Sequence, residues 1–189
     1  MEPKEEYSFR VDPRWRWEDT GRIIIGSQDK LSNQLAENAH NIISDLLDKL
    51  GVSLLATVAD KTANERINQL INHATVSGDL NSQKFSRVLD QWRIDEGILK
   101  EGIIVFLNAN KIQFVNDGNS EEPPLWGVAD SGGYALIRKH CDPVVLHEVG
   151  HMLGIGENCK NARCLMNYVC PPGFFCDNCL NIIHEAWGH

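Results

Sequence analysis

The chain has 189 residues, 42% of them hydrophobic and 23% charged, with a formal net charge of -8. That length is enough to bury a full core in one domain, and the composition is that of an ordinary globular protein rather than a disordered or fibrous one. The acidic balance argues against a nucleic-acid partner, because phosphate binding needs a basic face.

Residues 1–20, with Pro3, Pro13, Trp15 and Trp17, read as an irregular arm without the apolar stretch of a signal peptide. RIIIGSQ at 22–28 is a β-branched run closed by a glycine. Leu31, Leu35, Ala39, Ile42, Ile43, Leu46, Leu47 and Leu50 then recur at three and four, and Gly51 follows as a stop. The pattern predicts a strand and a long amphipathic helix. VSLLATVAD at 52–60 reads as a second strand, and 61–99 as helical material interrupted near VSGDLNS. GIIVFLNANKIQFV at 102–115 gives one or two strands, and LWGVADSGGYALIRK, after the polar loop NDGNSEEPP, gives a strand, a glycine bend and a strand. Strands alternating with helices imply an α/β sheet with at least one parallel pair. The longest apolar runs, such as IIVFL at 103–107, are too short to span a bilayer, so a cytoplasmic protein with no membrane partner is expected.

The chemistry concentrates in VVLHEVGHMLGIGENCKNARCLMNY, residues 144–168. His147 and His151 are four residues apart, so on a helix both imidazoles leave one face and can reach one zinc ion. Glu148, beside the first of them, is placed to take a proton from a water that the metal has acidified. Gly154 supplies the turn that ends the helix, and beyond it the next candidate ligand is Glu157. Two histidines and one carboxylate leave a position open for water, which is what a catalytic zinc requires. All six cysteines fall between Cys141 and Cys179, a clustering that points to metal rather than to a disulfide framework.

His147, Glu148, His151 and Gly154 resemble the HExxHxxGxxH pattern of the metzincin clan of zinc peptidases. Within that clan the chain is similar to the archaemetzincins, which carry CxxxxCxM directly after the third ligand and a later CxxC. Cys159, Cys164 and Met166 match the first segment, and Cys176 and Cys179 the second. The resemblance implies an α/β fold whose mixed, mostly parallel twisted sheet is backed by helices, one of which is the active-site helix. A small zinc-stabilised C-terminal subdomain completes it. Residues 21–189 form one catalytic domain in this reading, with 21–154 as its upper part and 155–189 as its C-terminal part. Met166 is then the Met-turn residue beneath the metal, and Tyr168 stands where a tyrosine can approach the tetrahedral intermediate. WGVADSGGYALIR at 126–138 is the candidate edge strand, along which a peptide or protein substrate binds in extended form.

The chain departs from the family pattern at two places. At the first, the third histidine is replaced and Asn158 is inserted before Cys159; the second is a shortened segment between Met166 and Cys176. Counting from the helix selects Glu157, while counting back from the cysteine selects Asn158. The reach fixed at Gly154 and the better donor chemistry of a carboxylate favour Glu157. Only nine residues separate Met166 from Cys176, and they include an additional cysteine, Cys170. Cys159, Cys164, Cys176 and Cys179 form two closely spaced pairs able to give four thiolates to a structural zinc, with Cys170 as a substitute for one of them. A CxxC redox pair and plain buried thiols are the alternatives. Cys141 reads as a buried thiol, His140 as a reserve ligand, and His184 and His189 as solvated. The expectation is a zinc metallopeptidase with two zinc ions per chain, one catalytic and one structural. The alternative is a zinc-stabilised peptide-binding protein without proteolysis.

Overall fold

The computed structural model describes residues 21–28, 30–96, 101–107, 113–115, 127–130, 133–138 and 140–187. The N-terminal arm, the loop at 116–124 and His189 lie outside the described residues. A five-stranded sheet runs in the order β2 (Leu55–Val58), β1 (Arg22–Ser27), β5 (Glu101–Phe106), β8 (Tyr134–Ile137), β7 (Gly127–Asp130). The first four strands are parallel and β7 is the antiparallel edge, registered Gly127 to Ile137 and Asp130 to Tyr134. The chain is therefore an α/β protein with a mostly parallel mixed sheet. None of the described helices is long and apolar enough to cross a membrane.

Side chains alternate across the sheet, and both faces are covered, which explains why the central strands are continuously apolar. Ile23, Ile25, Ile104, Phe106, Ala135 and Ile137 point into one core, with α1 (Lys30–Leu50), α4 (Asp142–Met152) and α5 (Asp177–Trp187). Ile24, Ile103, Val105, Tyr134 and Leu136 point into the other, with α2 (Lys61–Ala74) and α3 (Ser82–Glu96). In α1 the buried Ala36, Ala39, Ile43, Leu46, Leu47 and Leu50 form the stripe that the three-and-four spacing predicts, and Gly51 ends the helix at φ 68°. Asp60 caps α2 by accepting from the Ala63 N–H at 2.8 Å.

The break near VSGDLNS is a tight hairpin, β3 (Thr75–Val76) with β4 (Asp79–Asn81). Strand β4 also pairs in parallel with β6 (Gln113–Val115), so GIIVFLNANKIQFV supplies strands to two different sheets. VSLLATVAD contributes only four residues to its strand. Val52 instead turns its N–H back to the Leu47 carbonyl, as a helix exit.

One buried charge ties α3 to the sheet. The Arg93 guanidinium, 1% exposed, donates to the carbonyls of Glu101 at 2.7 Å and Gly133 at 2.8 Å. Arg93→Ala strands both carbonyls and leaves a cavity, so it is expected to lower stability by about 3 kcal/mol in urea unfolding.

Candidate metal centres

Helix α4 starts after Cys141, with proline in its first turn where a missing N–H costs nothing. It ends at Gly154, whose φ of +113° strains any other residue. The rings of His147 and His151 stand side by side, centroids 4.8 Å apart. Nδ1 of His147 is 2.9 Å from the Leu165 carbonyl, and Nδ1 of His151 is 2.5 Å from the Ile155 carbonyl. Carbonyl oxygens only accept, so each ring holds its proton on Nδ1 and turns a lone pair outward at Nε2. The two Nε2 atoms are 3.1 Å apart.

Two facing lone pairs at that distance repel, and a cation between them removes the conflict. A tetrahedral zinc bound at about 2.0–2.1 Å separates two ligand nitrogens by roughly 3.3 Å, so the pair fits the ion. Burial pushes both histidine pKa values down, against the bonds from Leu165 and Ile155, and so keeps the rings in the neutral form that binds metal.

Glu148 is 6% exposed, and burial raises its pKa to about 8. Its carboxylate lies against Gly127 of β7, where a Cβ would sit 2.6 Å from Oε1. Gly127 is a residue that sequence reasoning missed, although a glycine within a strand is itself a sign of close approach. Gly127→Ala is expected to push the carboxylate aside and to lower stability by about 1–3 kcal/mol in urea unfolding.

Met166 is fully buried with its sulfur against α4, so close that a Cβ on Gly150 would overlap it and the Phe175 ring. The methionine thus packs beneath the helix that carries the histidines. Tyr168 is 74% exposed, not packed in the core. His140 is turned away, its Nε2 2.9 Å from the Leu107 carbonyl and its ring against Phe106.

The two candidate third ligands, Glu157 and Asn158, are both exposed. Among the described residues, His147, His151 and Glu157 do not form a converging set of ligand atoms.

The sulfurs of Cys159, Cys164, Cys176 and Cys179 do converge, all within 4.8 Å of one another. Cys170, in a left-handed turn at φ 46°, is not among them. Burial raises the Cys164 and Cys179 thiols, while the backbone N–H of Cys179 brings Cys176 down to about 7. As thiolates, four sulfurs this close need a cation, and they are the donor set of a closed structural zinc site. The cluster fits zinc. It lies one peptide from the histidine pair, since Cys164 precedes Leu165, whose carbonyl accepts from His147. Cys159 is itself pinned, its N–H to the Met166 carbonyl at 2.7 Å and its carbonyl to Asn167 Nδ2 at 2.9 Å.

The fold and its sites define an α/β protein with a histidine-bearing helix beside an antiparallel edge strand and a four-thiol centre below. No protein-family model and no curated protein matches the chain. Among solved structures it is similar to archaemetzincin from Methanopyrus kandleri, at a TM-score of 0.57 and 15% identity, over 90% of this chain and 97% of that one. At that identity the likeness is one of fold.

Proposed function

We propose that the chain is a zinc-dependent metallopeptidase of archaemetzincin type that hydrolyses peptide bonds in an extended substrate. The observation that carries the reading is the pair of Nε2 atoms 3.1 Å apart on one helix face, with the buried carboxylate of Glu148 directly after His147. The fold shared with an archaemetzincin supports it. Zinc, when bound by His147 and His151, supplies a Lewis acid for the scissile carbonyl and makes water a usable nucleophile near neutral pH.

The chain's own groups do the rest. Glu148 takes the proton from the attacking water as general base and passes it to the leaving amine. Gly127 leaves room for that carboxylate, and the open edge of β7 offers backbone groups to which a peptide adds as a strand. The exposed phenol of Tyr168 is free to turn toward the developing oxyanion. Cys159, Cys164, Cys176 and Cys179 hold the second, structural zinc.

One observation favours the second reading, a zinc-stabilised peptide-binding protein: Glu157 is exposed and does not converge with the two histidines. Incubating the zinc-loaded chain with a peptide library and sequencing new termini by mass spectrometry separates the two. The peptidase reading expects cleavage that stops with chelator and returns with zinc. Retention of peptides without new termini supports the binding protein.

A further inference from the structure

We propose that the four-thiol centre is also a peroxide-responsive switch, in which Cys159 and Cys176 close as a disulfide and the site gives up its ion. The proposal rests on the zinc reading of that centre and is independent of peptide hydrolysis. Two sulfur pairs stand at 3.7 Å, Cys159 with Cys176 and Cys164 with Cys179. Four sulfurs bound to one zinc at about 2.3 Å sit roughly 3.8 Å apart, so the spacing suits the ion. A disulfide needs about 2.0 Å, and each pair is therefore one short movement from a covalent bond.

Burial decides which pair reacts. Cys164 and Cys179 are 1% and 2% exposed and lie in the apolar core with α1 and α4, out of reach of a polar oxidant. Cys159 and Cys176 are half-buried. The chain on either side of Cys159, residues 156–158 and 160–163, is exposed, and so are Asp177 and Asn178 after Cys176. Oxidation of cysteine follows access of this kind. Cys170 is also half-buried, but its sulfur lies outside the converging set.

The chemistry balances with hydrogen peroxide as the oxidant. One thiolate of the pair attacks the peroxide, forming an S–O bond while the O–O bond breaks and hydroxide leaves. The second sulfur then attacks the sulfenic sulfur, forming the S–S bond as the S–O bond breaks and a second hydroxide leaves. Each hydroxide takes a proton from solvent, so the two sulfurs give up two electrons and one peroxide becomes two waters. Two of the four donors are then gone, and the two that remain cannot close the site around the ion. The effect reaches the histidines through the chain. Cys164 precedes Leu165, whose carbonyl accepts from His147 at 2.9 Å, and the Cys159 N–H is bound to the Met166 carbonyl at 2.7 Å.

The test uses the zinc-loaded full chain and its His147→Ala/His151→Ala variant, which isolates the thiol zinc. Each is treated with hydrogen peroxide beside a chromophoric zinc chelator. The protein is then denatured, remaining thiols are alkylated, and linked peptides are mapped by mass spectrometry without reduction. The expected result is release of about one zinc per chain from the double variant, with a Cys159–Cys176 linkage and recovery of the site after dithiothreitol and fresh zinc. Cys170→Ser is expected to release zinc at an unchanged rate. Zinc retained, a first linkage other than Cys159 to Cys176, or slower release in Cys170→Ser overturns the switch and leaves the zinc site and the peptidase reading standing. A double variant that holds no zinc before peroxide is added overturns the zinc reading of the centre and the switch with it.

Discussion

Glu148→Gln is expected to lower peptide hydrolysis by roughly 10²–10⁴-fold, the usual contribution of a general base, while both zinc ions remain bound. Glutamine keeps the shape and loses only the ability to accept the proton. The carboxylate is buried against Gly127 and directly follows His147 in the chain. A second readout follows from the burial that raises its pKa from 4.5 to about 8. In metal-free protein the folded state keeps a proton that the unfolded state releases, so stability falls as pH rises from 4.5 through 8. Glu148→Gln is expected to flatten that slope in unfolding titrations of the metal-free chain, because it removes the group that titrates.

The second large effect is expected at the thiols. Cys164→Ser takes one of four converging sulfurs from a site that is buried in the same core as α1 and α4. Residues 155–176 contain neither helix nor strand, so their order rests on turns, on Met166 and Phe175 packing, and on this centre. Loss of a structural metal belongs to the few changes that cost about 4–5 kcal/mol or more. Because the Leu165 carbonyl, one peptide from Cys164, accepts from His147, the histidine site is expected to loosen as well. Zinc content should fall from two toward none, with a large drop in melting temperature. A variant that loses one zinc and keeps the other at full affinity would show the centres to be independent.

What was legible in the sequence is what periodicity and local spacing encode. The β-branched run of β1, the stripe of α1, the four-residue spacing of His147 and His151, and the antiparallel pair around SGG all reappear where their patterns lie. The CxxxxC and CxxC spacings also select the four sulfurs that converge, while Cys170, open in the sequence as a substitute, is not among them. The β3–β4 hairpin was not readable, because two- and three-residue strands are too short to show a period of two. Nor was the exposure of Glu157. Counting from a helix assumes that the chain leaves it at a fixed rise per residue, but Cys159 is held by hydrogen bonds to Met166 and Asn167, later in the chain. Gly127 is the same kind of case: its neighbour Glu148 comes from a different element, and only the assembled sheet brings them together.

The central claim is that a metal ion sits between His147 and His151. Elemental analysis of zinc per chain, in protein purified without added metal or strong chelator, tests it most directly when wild type is set beside His147→Ala/His151→Ala. The account predicts two ions in the wild type and one in the double variant, with the thiol site retained. An equal zinc content in the two proteins would contradict it.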